Sequence, residues 1–349
     1  MTRADRLHLV DQISGTAWAI TTGSIPECDQ SEIRITAFLV ALLFSGVLHA
    51  FPTKPVKIIV AFPPGGGTDI VARLLGQRLT DAWGQPVIVE NRAGASGTIG
   101  TEAAARADPD GHTLFMATMG NMTANQHLYP KMTVDPLRAF APITKVVDVH
   151  FVFLANPALP AGGVKELIEL AKKRPGEIAY SSSGPGGAPH LAMELFKRRA
   201  GVDLTHIPYK GSGPGMNDLI GGRVMLTMDS LVQSVPHIKA GRLKALAVLG
   251  PKRAALLPEV PTIAESGLPG YALTNWFGLL APAATPREVL QQLNSDVLRI
   301  LKQEDLQKKI SDLGADVVGN PAEEFGAAMR AESAQWAEII KAAGIRVEE

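Results

Sequence analysis

The feature that most restricts the fold is a junction that recurs along the chain: an apolar run, a stretch rich in glycine, serine, threonine or proline, and then a helical pattern. In the first example, FPPGGGTD at 62–69 stands between an apolar run at 56–61 and a helical pattern at 69–83. Such alternation of strands and helices predicts an α/β fold with a mostly parallel sheet flanked by helices. The junctions are found at 62–69, 92–98, 118–123, 182–190 and 209–215.

Several junctions of this kind in one chain predict a ligand-binding cleft. In open α/β sheets, ligands bind beyond the carboxyl ends of the strands, where the N-termini of the following helices point. Unpaired backbone N–H groups and the helix dipole make such a terminus attractive to an anion. Glycine lets the backbone approach the ligand closely. The sequence therefore favours a polar cleft that holds an anion, such as a carboxylate, with main-chain groups.

Length, charge and cysteine content narrow the class of protein. The chain has 349 residues, which is enough for two α/β domains. Its 34 basic and 34 acidic residues give a formal net charge of zero, so no basic excess indicates a nucleic-acid partner. Cys28 is the single cysteine, which excludes an intramolecular disulfide and a thiol-based metal cluster.

The N-terminal region has the parts of a secretory signal peptide. Arg34 precedes an apolar run at 37–50, which closes on Ala50 and is followed by Phe51-Pro52. At about 1.5 Å of rise per helical residue, this run is too short to cross a hydrocarbon core about 30 Å thick. The pattern predicts a cleavable signal peptide at 34–50 and leaves 1–33 as an upstream extension. The alternative is a buried helix of the mature fold.

The sequence lacks the motifs of common catalytic and cofactor sites. The stretch 62–69 has neither the Gly-Lys-Ser/Thr ending of a P-loop nor the spacing of a dinucleotide turn. The serine-containing stretches 94–98 and 181–185 do not match a Gly-x-Ser-x-Gly elbow, and no aspartate–histidine pair has a recognisable spacing. The scattered histidines form no metal-binding pair. We therefore expect no catalytic centre, no metal ion and no cofactor.

Several side chains near the predicted cleft have two interpretations each. Asp69 can cap its helix or accept a hydrogen bond from a ligand. Tyr209 and Lys210 can enter the cleft, or they can be a packed ring and a solvated cation. Asp229 follows an apolar run and can be a hinge, a cap or a ligand acceptor. The segment Trp276-Phe277-Gly278 can belong to the core or to the cleft wall.

Taken in order, the motifs resemble the Bug family of periplasmic solute receptors, the binding subunits of tripartite tricarboxylate transporters. The resemblance begins at FPTKPV and FPPGGGTD and covers essentially all of 51–349. The further matching motifs are ENRAGASG at 90–97, SSSG at 181–184, PYKGS at 208–212, WFG at 276–278 and AP at 281–282.

This resemblance implies a two-lobed, Venus-flytrap fold of type II-like topology, with a mostly parallel sheet flanked by helices in each lobe. Lobe 1 comprises 51–152 and 277–349, lobe 2 comprises 153–276, and the ligand lies between them. The loops that surround the ligand in the family map onto Pro64, Gly65, Gly66, Thr68, Asp69, Gly120, Asn121, Ser182, Ser183, Gly184, His190, Tyr209, Lys210, Gly211 and Asp229.

The function implied by the resemblance is that of a non-catalytic, extracytoplasmic receptor. It would bind a small organic mono- or dicarboxylate and deliver it to the membrane subunits of a tripartite tricarboxylate transporter. We expect a periplasmic monomer with no nucleic-acid partner. Two alternatives stay open: a sensory or adaptor protein that docks on a membrane signalling partner, and a hydrolase on the same fold.

Overall fold

The computed structural model describes residues 51–129 and 131–343, which belong to one compact unit beginning at Phe51. The predicted extension at 1–33 and the predicted signal peptide at 34–50 lie outside the described residues, so both stay predictions. Within the described part, no helix combines the length and the apolar content that a membrane span needs.

Strands and helices alternate along most of the chain. The strands are β1 (Val56–Val60), β2 (Val87–Asn91), β3 (Thr113–Thr118), β4 (Phe140–Val149), β5 (Phe151–Ala155), β6 (Ala179–Ser182), β7 (Thr205–Pro208), β8 (Leu226–Ser230), β9 (Lys244–Val248), β10 (Asn275–Pro282) and β11 (Ala315–Val317). The α-helices are α1 (Gly67–Trp83), α2 (Thr98–Ala105), α3 (Pro136–Ala139), α4 (Val164–Lys173), α5 (Ala188–Ala200), α6 (Ser212–Ile220), α7 (Leu231–Lys239), α8 (Arg287–Leu301), α9 (Glu304–Asp312) and α10 (Ala322–Ala343).

The strands form two sheets. The six-stranded sheet has the order β11-β4-β10-β3-β1-β2, and the five-stranded sheet has the order β7-β6-β8-β5-β9. In the first, β1 is parallel to β2 and β3, whereas β10 is antiparallel to β3 and β4. In the second, β6 is parallel to β7 and β8, whereas β5 is antiparallel to β8 and β9. Most strands of each sheet therefore share one direction.

The reversed strands β5 and β10 carry the chain from one sheet to the other. The chain leaves the six-stranded sheet after Val149 and enters the five-stranded sheet at Phe151. It returns between Val248 and Asn275. The two connections are neighbours, because Asn275 pairs with Val149. Paired strand ends between two layered units are a suitable hinge for closure around a ligand.

Apolar spacing explains why the helices cover the sheets. In α1, Val71, Leu75 and Leu79 are four residues apart and are buried on one face, as expected for a helix packed on a core. In β1, the consecutive residues Ile58 and Ile59 are both buried, which is typical of a strand covered on both faces. Each such side chain contributes about 1.5–3 kcal/mol by burial.

Candidate ligand-binding site

A cavity of about 40 Å³ is lined by residues of both sheets and of the segments that follow their strands. Its lining residues are Phe62, Gly66, Gly67, Thr68, Thr118, Phe151, Ser183, Ala188, Pro189, Ser212, Asp229, Ser230, Asn275 and Phe277. Phe62 follows β1, Thr118 ends β3, and Ser183 follows β6. A cavity of this size holds a few water molecules, so the two halves of the molecule are closed on each other.

Four helices begin at the wall of this cavity. Their N-cap residues are Gly66 for α1, Gly187 for α5, Gly211 for α6 and Ser230 for α7. At these four helices of the described chain, no N-cap side chain makes a capping hydrogen bond. The first N–H groups of α1, α5 and α6 therefore lack the usual side-chain acceptor, whereas the first N–H group of α7, that of Leu231, donates to the His150 carbonyl at 2.8 Å. Together with the positive ends of the four helix dipoles, they make the cavity attractive to an anion.

Asp229 is the one ionisable side chain among the described residues that line the cavity. Its Oδ1 accepts a hydrogen bond from the Ser230 backbone N–H at 2.7 Å, and its Oδ2 accepts one from Gln233 Nε2 at 3.0 Å. Burial raises the pKa of Asp229 to about 6, against the opposing effect of hydrogen bonds from Ser212 and the Ser230 N–H. The attraction for an anion thus comes from backbone dipoles, without a lysine, arginine or histidine in the wall.

Gly67 allows α1 to approach the opposite wall. A Cβ atom at this position would lie 2.6 Å from Ser230 Oγ and 3.4 Å from the Phe277 ring. Ser230 Oγ is buried and has no hydrogen-bond partner. An unpaired buried hydroxyl is costly, and this one lies at the cavity wall, where a ligand oxygen could satisfy it.

Of the sequence-predicted site residues, Gly66, Thr68, Ser183 and Asp229 line the cavity. Asp69 has other partners: its carboxylate accepts hydrogen bonds from the Gly65 N–H at 3.0 Å, from Asn91 Nδ2 at 2.8 Å and from Arg73 Nε. Burial raises the pKa of Asp69, but the hydrogen bonds from Arg73, Gly65 and Asn91 outweigh it and hold that pKa below its ordinary range. These bonds engage Asp69 in shaping the 62–69 loop.

Ser182 and His190 support the loop between β6 and α5 from behind. Ser182 Oγ lies 2.6 Å from His206 Nε2 and also accepts a hydrogen bond from the Gly184 N–H. His190 Nδ1 accepts a hydrogen bond from the Gly186 N–H, and its ring stacks on His206 at 4.3 Å. Burial lowers the pKa of both imidazoles, that of His206 to about 4.

This serine–histidine distance resembles that of a nucleophile and its base. Ser182 is 2% exposed, however, and it is not among the residues that line the cavity. The hydroxyl therefore lies behind the loop and away from the ligand space, where it holds the backbone of Gly184.

The remaining predicted residues are not among those that line the cavity. The Tyr209 hydroxyl donates to Asp218 Oδ2 at 2.7 Å, and burial together with this bond raises its pKa to about 12. Lys210 is exposed, as are Pro64 and Gly65. Asn121 Oδ1 accepts a hydrogen bond from the Thr118 N–H at 2.7 Å, while its Nδ2 is buried without a partner. Gly120 and Gly184 face segments of the opposite half, near the Ala188 N–H and Ser96 Oγ respectively.

Direct contacts hold the two halves together on both sides of the cavity. The carbonyl of Pro185, which follows β6, accepts hydrogen bonds from Ser96 Oγ at 2.5 Å and from the Tyr129 hydroxyl. On the other side, a Cβ atom at Gly211 would lie 2.3 Å from Pro63 Cδ. Gly211 has φ +153°, a conformation that favours glycine. The closed arrangement therefore depends on a close backbone approach at this point.

Sequence reasoning missed part of the cavity wall. Ser212 and Ser230 stand at the starts of α6 and α7, where a hydroxyl after a strand is a recognisable helix-start signal. Phe62, Phe151 and Phe277 carry no comparable local signal, because an apolar ring in or beside a strand looks like any core residue. Phe277 lies in the segment with two interpretations, and the structure places its ring at the cavity.

Comparison with known proteins agrees with this geometry. Residues 71–345 match the model of the tripartite tricarboxylate transporter family receptor, TctC. The chain belongs to this family. As a tripartite tricarboxylate transporter receptor it has the two-lobed α/β fold of periplasmic binding proteins. The solved structure of the periplasmic binding protein BugD is 39% identical, with a TM-score of 0.82 over 85% of this chain and 100% of that chain.

Two further solved structures of similar proteins contain carboxylates. The receptor is 38% identical to R. palustris Rpa4515 with adipate, with a TM-score of 0.83 over 85% of this chain and 99% of that chain. It is 32% identical to MatC (Rpa3494) from Rhodopseudomonas palustris with bound malate, with a TM-score of 0.80 over 83% of this chain and 100% of that chain.

Proposed function

We propose that the protein is a non-catalytic receptor that closes on a small organic mono- or dicarboxylate and delivers it to the membrane subunits of a tripartite tricarboxylate transporter. The observation that carries the ligand class is the convergence of four helix N-termini on a cavity whose described lining residues include no basic side chain. The adipate and malate in similar structures support the same class.

The lobes that close are 51–152 with 277–349 and, opposite them, 153–276. The crossings at 149–151 and 248–275 support this division, because the strands on either side belong to different sheets. The predicted ligand contacts at Gly66, Thr68, Ser183 and Asp229 come from both lobes. The other predicted residues would shape the loops that bring these contacts together.

The receptor would act as a monomer in the periplasm, exported by the signal peptide at 34–50. The family supports this location, since BugD is a periplasmic binding protein. N-terminal sequencing of the exported protein tests the cleavage site, and we expect the mature chain to begin at Phe51. A mature terminus well upstream of Phe51 would contradict the prediction.

A thermal-shift and calorimetry panel tests the ligand class. Mono- and dicarboxylates, including adipate and malate, are compared with uncharged and cationic solutes of similar size. We expect stabilisation by carboxylates alone and recovery of the bound compound unchanged after prolonged incubation. Stabilisation by an uncharged or cationic solute, but by no carboxylate, would refute the proposal. Conversion of the ligand to a product would favour the hydrolase alternative.

A further inference from the structure

Asp229 occupies an unusual place for a carboxylate in a site that attracts anions. It is the next-to-last residue of β8, is 5% exposed, and lines the cavity opposite the N-terminus of α1. Its hydrogen-bond donors are the Ser230 N–H, Gln233 Nε2 and the Ser212 hydroxyl, all uncharged. A ligand carboxylate drawn into a cavity of about 40 Å³ must come close to this side chain.

The charged groups on the surrounding elements leave Asp229 without a counter-ion in the described chain. On α5, Glu194 pairs with Lys197, and His190 accepts its bond from the Gly186 N–H. On α6, Asp218 pairs with Arg223. Across the cavity, Asp69 pairs with Arg73. On α7, burial and Arg242 lower the pKa of His237. Arg198 and Arg199 on α5, Lys210 before α6 and Lys239 on α7 are exposed to solvent. None of these groups contributes to the charge balance at Asp229.

Two carboxylates in one desolvated site repel each other, so one of them binds a proton more tightly. The ligand carboxylate has the N–H groups of several helices to accept from, which favours its ionised form. The ionised form of Asp229 is less well stabilised than that of the ligand, because Asp229 is buried and its hydrogen-bond donors are uncharged. The proton therefore belongs on Asp229.

This inference rests on the proposed carboxylate ligand. We propose that Asp229 is a neutral carboxylic acid when the ligand is bound and donates a hydrogen bond to the ligand carboxylate. Each anion therefore binds together with one proton. The proton comes from solvent, and no covalent bond changes. Asp229 thereby becomes a specificity-determining residue. It couples ligand affinity to pH, and it disfavours a ligand that has no hydrogen-bond acceptor next to Asp229.

The free protein already has Asp229 poised for this exchange. Burial raises its pKa to about 6, so at neutral pH most molecules must take up a proton when the ligand enters. The two imidazoles behind the neighbouring loop, His190 and His206, have lowered pKa values. With a pKa of about 4, His206 stays neutral between pH 6.5 and pH 8, and the lowered pKa of His190 favours its neutral form in the same range.

Calorimetric titration of the purified protein with adipate and with malate at several pH values tests the coupling. With a free pKa of about 6, we expect the dissociation constant to rise about 20-fold between pH 6.5 and pH 8, approaching tenfold per pH unit. Titrations in buffers of different ionisation enthalpy should show uptake of about one proton per ligand near pH 7.5. Both measurements use the wild-type chain and need no variant.

Two substitutions test whether Asp229 is the group that takes up the proton on binding. Asp229→Asn keeps the acceptor for the Ser230 N–H and offers a permanent N–H donor to the ligand. Gln233 Oε1, which has no partner, can accept from the new amide after a flip. We expect ligand affinity in this variant to be independent of pH. Glu332→Gln is the matched control, because among the described residues Glu332 is the other carboxyl with a raised pKa, and it accepts a hydrogen bond from Trp276 Nε1 outside the cavity.

The outcomes separate this inference from the function on which it rests. A pH-dependent affinity with proton uptake, lost in Asp229→Asn and kept in Glu332→Gln, supports it. Equal affinity at pH 6.5 and pH 8 without proton uptake overturns it, while a carboxylate receptor stands. Pronounced pH dependence that persists in Asp229→Asn also overturns it. Failure of every carboxylate in the panel to bind at any pH overturns the proposed function.

Discussion

Replacing Gly211 by alanine should block closure of the lobes without preventing either lobe from folding. The new Cβ would lie 2.3 Å from Pro63 Cδ, on the other side of the cleft. A proline ring cannot rotate away as a long side chain would, so the lobes themselves must move apart. The open form removes this clash, because Pro63 and Gly211 belong to segments that follow strands of different sheets.

The magnitude follows from two separate costs. Overpacking of a close contact costs about 1–3 kcal/mol, and this cost falls on the closed state alone. Since 1.4 kcal/mol corresponds to a factor of ten, the dissociation constant should rise by about 5- to 150-fold. The backbone of Gly211, at φ +153° and ψ +171°, adds a strain of about 1–3 kcal/mol for a residue with a Cβ, but this strain is present in the open and closed states alike.

Gly201→Ala is the matched control for the backbone strain. Gly201 ends α5 with φ +62°, and a Cβ there would meet no atom within 4 Å. Both variants should lose thermal stability through their positive φ, but only Gly211→Ala should lose ligand affinity in calorimetry. Small-angle scattering at a ligand concentration that just saturates the wild type should show ligand-induced contraction in Gly201→Ala and a smaller contraction in Gly211→Ala. Wild-type affinity in Gly211→Ala would refute the closed contact at Pro63.

Two further variants test the hydrogen bonds around the cleft. The double variant Ser96→Ala, Tyr129→Phe removes both donors to the Pro185 carbonyl. Because each lost hydrogen bond is worth about 1 kcal/mol, calorimetry should show ligand binding weakened by up to about 30-fold. Unchanged affinity would refute a role of these bonds in closure. Asp69→Asn should lower the free energy of unfolding at pH 7 by about 1–2 kcal/mol. Because the folded-state pKa of Asp69 is depressed, this contribution is lost as the pH falls through that pKa. The free energies of unfolding of the variant and the wild type should therefore converge in acid. A constant difference between them down to about pH 2 would contradict this prediction.

The junctions of the fold were readable from sequence because their signals are local. Glycine-rich turns follow β1, β6 and β7, and a helix begins after each of them. The long strand β4 has no such signal: Thr144, Lys145 and Asp148 interrupt its apolar pattern. Its place in the sheet depends on pairing with β10, more than a hundred residues further along the chain. No local pattern reports a pairing over such a distance.

The candidate site shows the same division between local and distant information. The glycine-rich loops pointed to Gly66, Thr68 and Ser183, all of which line the cavity. For both aspartates the sequence left a cap and a ligand acceptor open, yet Asp69 is engaged by Arg73 and Asn91, whereas Asp229 faces the ligand space. The difference depends on which donors the fold brings to each carboxylate, and spacing along the chain does not record it.

The four helix starts at the cavity have a consequence for how such receptors diversify. An anion site made of main-chain N–H groups is retained after most side-chain replacements, since every residue except proline supplies the same donor. The aromatic rings of Phe62, Phe151 and Phe277 line the cavity without taking part in these main-chain contacts. Exchanging one of them for a smaller or polar residue can change the accepted chain length or substituent while the hold on the carboxylate persists. New ligands within the class therefore lie a few substitutions apart.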